Sequence, residues 1–426
     1  MPKNRHLSQQ SRALRLAAAG TLAITGAAAL TGCGGHGNYT EEFRQEANHR
    51  MDMVRAGTEW DMAHTQFLAG DLKKALRSVD KSLGMTDQVA RPHSLKGRIL
   101  FEMGENDRAL ESFARAIELD PAHAEAHYFT GIVYERLMQP RRALESYKAA
   151  STHDKNNPQY AIASAEMYIQ LQELDSADAL LSNPDRSYQN NAGVRQLQGH
   201  IAMMRGDIHE GIKLFHEACL LAPDEPSLLE DLARAQIAVG DFSEAEYSIS
   251  RLLRMDKDNY RRDLQHLRAR CLMELDRPVE AREIFNGLTR EDRGSNDFAA
   301  WMGIAQVSIV LRENLRLREA ANRMMRMAPE RHEGYLMLAI YQRGRGELDS
   351  AAALLDKAIE RSRKDPQPAV LQAMIYHDLG RPADALRSAR TAQRIDPTST
   401  QAQLLISALS GQTGDRAIVD VPVSID

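Results

Sequence analysis

One spacing constrains this chain more than anything else in it. Alanine or glycine stands at Ala63, Gly97, Gly131, Ala165, Gly199 and Ala233, each 34 residues after the last, then at Ala269, Ala305, Ala339 and Ala373 after steps of 36, 36, 34 and 34. A second ladder follows each of these positions by 12 residues, at Ala75, Ala109, Ala143, Ala177, Gly211, Ala245, Ala281, Ala351 and Ala385, and only Leu317 breaks it. A fixed period of this length marks an array of supersecondary units, none of which can bury its apolar face alone. With 426 residues, the chain exceeds what a single core of roughly 250–300 residues carries, and an array removes that limit.

The unit can be read from its punctuation. Gly70, Gly104, Gly206, Gly240, Gly346 and Gly380 share one phase between the two ladders, where glycine ends a helix in the left-handed conformation. Phe113, Tyr147, Phe215 and Phe285 come four residues after the second small position, and Pro121, Pro223, Pro329 and Pro397 close units. Each unit is therefore helix, tight turn, helix. The small positions let paired helices approach closely, and the bulky position is expected to fill the gap against the next unit. An aromatic content of 5% among abundant Ala, Leu, Arg and Glu also favours an all-α chain.

The best unit, with Gly97, Leu100, Gly104, Ala109, Phe113, Ala116 and Pro121, resembles the tetratricopeptide repeat, and the resemblance runs over residues 56–399. It implies an all-α, right-handed superhelical solenoid of about ten helix-turn-helix units. Residues 40–55 then form an N-terminal helix with Thr40 as its cap, and residues 400–410 a terminal capping helix. Residues 411–426 read as an unstructured tail, with addition of a strand to a partner's sheet as the alternative. The two-residue insertions fall in Met255–Arg262 and Thr289–Asp297 and read as longer surface loops, with hinges as the alternative. Pro184 should cut short the second helix of the fourth unit.

In this family the first helix of every unit lines the concave surface. Carried onto this sequence, that implies a groove lined by Trp60, Phe67, Phe101, Tyr128, Ile162, Ile169, Met203, Ile237 and Met273, flanked by Arg98, Arg234 and Arg270. Aromatic, methionine and arginine side chains carry much of the energy of protein interfaces, so such a stripe suits an extended or helical peptide. A stripe at helical spacing is equally the signature of a core, so each of these residues is open to the other reading. The Lys and Asn set with which some family members clamp a C-terminal carboxylate is not seen.

The first 33 residues read as an address. Lys3, Arg5, Arg12 and Arg15 precede a largely apolar run, Leu16 to Leu30, which is shorter than the roughly 20 residues of a spanning helix. The run ends in Leu30-Thr31-Gly32-Cys33, which resembles a lipobox. The resemblance implies that residues 1–32 are a cleaved signal peptide, that Cys33 carries the lipid, and that residues 33–39 are a flexible tether. Gly34 after the cysteine is similar to lipoproteins passed to the outer membrane, where a source with two membranes would place this one facing the periplasm.

Signals of chemistry are missing. His209-Glu210 and His216-Glu217 lack the second histidine of HExxH, and no phosphate-cradling loop or nucleophile elbow is present. His123 and His127 lie four apart with no third ligand, so solvated histidines are expected rather than a metal site. Cys219 and Cys271 belong to non-adjacent units and read as small buried hydrophobes. With 54 Lys and Arg against 59 Asp and Glu, nothing favours nucleic acid as a partner. The expectation is a lipid-anchored, non-enzymatic scaffold without cofactors that holds other envelope proteins or peptides, similar to repeat lipoproteins of pilus and secretion machines. Scaffolding of cell-wall or exopolysaccharide enzymes is a second reading, and a groove for a small molecule or glycan, or an enzyme, is a third.

Overall fold

The computed structural model describes residues 38–256, 261–290, 296–362 and 364–411. Cys33, the signal segment, the tail from 412 onward and the middle of both insertions lie outside them. The described residues form 22 helices and no strand. The pairs are α1 (Asn38–Leu68) with α2 (Leu72–Met85), α3 (Ala90–Glu102) with α4 (Asn106–Leu119), and α5 (Ala124–Arg136) with α6 (Pro140–His153). The fourth unit comprises α7 (Pro158–Gln170), α8 (Leu174–Leu181) and the short α9 (Arg186–Gln189). Next come α10 (Ala192–Arg205) with α11 (Ile208–Leu221), α12 (Pro226–Ala238) with α13 (Phe242–Met255), and α14 (Arg262–Glu274) with α15 (Pro278–Arg290). The last three pairs are α16 (Phe298–Val310) with α17 (Asn314–Met327), α18 (Glu333–Gly344) with α19 (Leu348–Arg361), and α20 (Gln367–Asp378) with α21 (Pro382–Ile395), and α22 (Thr400–Leu409) packs on that last pair.

Ten units thus stack in sequence as a helical solenoid, each helix packing chiefly on its neighbours along the chain. Two details differ from the sequence reading. The N-terminal segment and the first repeat helix are one continuous helix, so Thr40 lies inside α1 instead of capping it. In the fourth unit the proline break does shorten α8 to 8 residues, and the chain restarts in α9, whose Asp185 side chain accepts the Ser187 N–H at 2.7 Å.

The turn from the first to the second helix of every unit uses one left-handed residue. Gly70, Gly104, Gly206, Gly240, Gly346 and Gly380 have φ between 67° and 86°, and the remaining four units place Met138, Gln172, Asp276 and Arg312 at the same phase with φ of 54° to 64°. Those four L residues accept a backbone conformation that costs each about 1–2 kcal/mol. The turn is therefore imposed by the packing of the pair and not by glycine alone.

Both small ladders are buried, from Ala63 and Ala75 at one end to Ala373 and Ala385 at the other. Glycine appears at the first position where an aromatic ring needs the room: Phe113 sits on Gly97, Tyr147 on Gly131 and Phe215 on Gly199, all within one unit. Where that position is alanine, the residue sixteen later is smaller, as in Ala165 with Leu181, Ala233 with Ile249 and Ala339 with Leu355, each pair sharing one core cluster. The seventh unit is the exception, with Ala269 followed by Phe285, and its ring packs on Gly303 of the next unit. The bulky residue thus fills space on the glycine of its own unit and also packs toward the next, as Phe113 does on Phe129 and Tyr147 does in one cluster with Ala163 and Met167.

Candidate partner-binding groove

The first helices of successive units touch one another, α1 with α3, α3 with α5, α7 with α10, α14 with α16 and α16 with α18, whereas second helices make no comparable contact with one another. Crowding on one side and spreading on the other bends a stack toward the crowded side, so the first helices lie on the inside of the curve. That is the face on which the candidate residues stand.

The structure divides those candidates. Phe101 and Ile162 are only 7% and 8% exposed and belong to the core, which corrects their reading as groove contacts. Arg136 covers the Phe101 ring at 3.4 Å and donates to its carbonyl at 2.9 Å. Trp60 is half-buried, stacked on His64 with centroids 5.3 Å apart and capped by Arg91. Tyr128 is half-buried among Phe129, Tyr147 and Tyr160. Phe67, Ile169, Met203, Ile237 and Met273 are partly buried against neighbouring cores. Arg98 is spent internally: its guanidinium lies 5.0 Å from Phe67 and 4.6 Å from Phe129 and donates to Glu125 at 2.8 Å. Arg234 and Arg270, in the same register, are exposed.

Three exposed apolar residues on this face escaped the sequence reading: Leu68, Met204 and Val310, at 70%, 46% and 53% exposure in the last turns of α1, α10 and α16. Leu68 and Met204 each lie one residue beyond a chosen groove residue, Phe67 and Met203, and Val310 holds the same phase in its unit, so a helix-wheel step of one position would have found them.

Polar contacts tie neighbouring units together along the same face. Asp231 accepts from Gln196 at 2.7 Å and pairs with His200 at 3.0 Å, Asp297 pairs with Arg262 at 2.7 Å and His266 at 2.9 Å, and Asp365 pairs with His332 at 2.7 Å. Burial pushes these three carboxyls up, but the hydrogen bonds they accept, above all from the histidines, Gln196, Arg262 and backbone N–H groups, hold them below the usual carboxylate range. Glu166 goes the other way, raised by burial and by Glu135 of the preceding unit.

A cleft of about 200 Å³ opens between the sixth and seventh units, lined by Arg234, Arg261, Arg270 and His266, by the acids Glu230 and Asp263, and by Leu252, Leu264 and Leu267. Small-molecule sites usually enclose about 300–1,000 Å³, so this one has room for a side chain or two. Among the described residues no cluster of three potential metal ligands occurs. His127 bonds the Pro121 carbonyl at 3.0 Å and stacks on His153, its ring engaged in local packing. Cys219 and Cys271 are free and buried, and burial pushes the Cys271 thiol up to about 11.

Models of repeat families agree with this architecture. A family model described as TPR repeat matches residues 97–137, and one described as tetratricopeptide repeat matches 230–296 and 309–400. No curated protein matches the chain. Among solved structures, PilF of Pseudomonas aeruginosa is similar at 18% identity over 49% of this chain and 94% of its own, with a TM-score of 0.41. A tetratricopeptide repeat protein from Parabacteroides merdae gives 17% identity over 55% and 92%, TM-score 0.43. The Cut9–Hcn1 hetero-tetramer of the APC/C gives 12% identity over 83% and 96%, TM-score 0.40.

Proposed function

Because the chain is a tetratricopeptide-repeat protein, and such repeats form protein-interaction scaffolds, we propose that it is a lipid-anchored adaptor that holds other envelope proteins against its first-helix face. The observation that carries this reading is the exposure of Met204, Val310, Arg234 and Arg270 on the inside of a stack whose remaining candidate residues are spent on packing. Solvent-exposed apolar and arginine side chains on one concave face are what a partner's side chains bury. Assembly of an envelope machine such as a pilus or secretion system suits an adaptor of this kind. Scaffolding of cell-wall or exopolysaccharide enzymes would use the same face.

The anchor rests on the sequence. Four cations, an apolar run too short to span, and Leu30-Thr31-Gly32-Cys33 make Cys33 the acylated residue of this proposal. No described helix is long and apolar enough to cross a membrane. The protein has no catalytic role in this reading.

The test is cross-linking in membranes followed by capture of the intact chain, alongside a Met204→Glu/Val310→Glu form and a Cys33→Ser form fed alkyne-palmitate. The adaptor reading expects one envelope protein to be recovered with the intact chain and lost with the double variant, and label to disappear with Cys33→Ser. Capture that ignores the double variant removes the groove, and label that persists without Cys33 removes the anchor.

A further inference from the structure

Arg98, Arg234 and Arg270 each follow a small residue of the first ladder by one position, yet only Arg98 is consumed by the fold. The neighbours explain why. Four residues past the preceding unit's small position, Arg98 meets Phe67; from the next unit it meets Phe129 and Glu125. For Arg234 the equivalent residues are Met203, Leu267 and Asp263, so both rings are replaced by aliphatic side chains that offer no π face. The equivalent acid is taken as well: Arg261 holds Asp263 at 2.8 Å and Glu230 at 2.6 Å. Arg234 keeps only long approaches, 3.5 Å to Glu230 and 4.0 Å to Asp231, and its side chain is 71% exposed. For Arg270 the equivalents are Ile237, Gly303 and Ala299, none of which can pair with a cation.

The other acids near the rim are engaged in the same way. Asp231 is held by His200 and Gln196, and Asp297 by Arg262 and His266. Two guanidinium groups one unit apart therefore line an open cleft whose own two carboxylates, Glu230 and Asp263, are both bonded to Arg261, so that three arginines stand against two acids beside Leu252, Leu264 and Leu267. Resting on the adaptor reading, we propose that this cleft between the sixth and seventh units is a specificity pocket for a partner segment that presents an acidic side chain beside an aliphatic one. Arg234 and Arg270 receive the carboxylate, and the leucine walls receive the aliphatic group. Guanidinium donors match a carboxylate's geometry, and the cleft's size suits side chains.

Fluorescence anisotropy of the full chain with three short fluorescein-labelled peptides tests this. One alternates aspartate with leucine and valine, one has asparagine in place of aspartate, and one has lysine. The pocket predicts that the aspartate peptide binds at least about tenfold more tightly than its asparagine twin, a gap set by charge-assisted hydrogen bonds. Raising the salt narrows that gap. Arg234→Glu/Arg270→Glu loses the aspartate peptide and gains the lysine peptide, an inversion that mere damage to the fold does not produce. Equal binding of the aspartate and asparagine peptides, an order unchanged by the charge swap, or no binding of any peptide overturns the pocket. If cross-linked capture in membranes still depends on Met204 and Val310 in those cases, the adaptor reading survives and the carboxylate assignment alone falls.

Discussion

Replacing Gly199 by alanine sets two opposite effects against each other. A β-carbon there would stand 2.6, 2.8 and 3.1 Å from three ring atoms of Phe215, well inside the roughly 3.5–4.0 Å at which carbon atoms rest. Alanine gains about 1 kcal/mol over glycine in a helix interior, while an extra methyl in a filled core costs about 1–3 kcal/mol. Gly57→Ala in α1 supplies the control, because nothing lies within 4 Å of the added carbon and only the helix gain remains. The two changes should differ by about 1–3 kcal/mol, roughly five- to 150-fold in local opening. Amide hydrogen exchange reads this unit by unit, as suits an array held by nearest-neighbour contacts. Exchange should quicken in α10 and α11 with Gly199→Ala and slow in α1 with Gly57→Ala. Adding Phe215→Leu recreates the Ala165–Leu181 and Ala339–Leu355 pairings and should recover about 1 kcal/mol through coupling. If Gly199→Ala slows exchange as Gly57→Ala does, or the double variant is simply additive, the account of glycine as a socket for the ring is wrong.

Met138→Gly should raise stability by about 1 kcal/mol, because Met138 is 76% exposed and held at φ 57°; an unchanged or lower melting temperature counts against the strain. The pairing of Asp297 gives a pH dependence: its folded pKa lies below its unfolded value near 3.9, so its contribution is full above that value and is lost as pH falls through the folded one. Asp297→Asn should thus lower the melting temperature at pH 7 and lower it much less at pH 3, and a gap that does not narrow refutes the assignment. In a Cys33→Ser background, maleimide at neutral pH should leave native Cys219 and Cys271 untouched and modify both in urea, since both thiols are buried and raised. Labelling of the native chain would show that these helices open readily.

The repeat was legible because each ladder position stands between two helices in every unit, so the same steric demand recurs at Ala63 and at Ala373. The turns were legible only where glycine marks them. Met138, Gln172, Asp276 and Arg312 carry no local signal, and their left-handed backbone follows from phase alone. The partner of Phe285 was hidden for another reason: whether the ring rests on its own unit or on Gly303 depends on how α15 crosses α16. The groove was least legible. Phe101 has the same apolar character as Met203 and is buried under Arg136, and Arg98 and Arg234 share a register but not neighbours. Those fates are settled across 27 to 35 residues of sequence, as the Arg98–Glu125 and Arg136–Phe101 contacts show, beyond the reach of a pattern within one helix.

In the adaptor reading, partners meet the first helices. A photoreactive residue placed in turn at Met204 and Val310 on α10 and α16, and at Leu220 and Tyr247 on the second helices α11 and α13, tests it most directly, because all four positions are exposed. Irradiation in membranes should join one common partner to the chain through the first pair and not the second. The same partner joined through Leu220 and Tyr247, with none at Met204 or Val310, would put binding on the outer face and contradict the account.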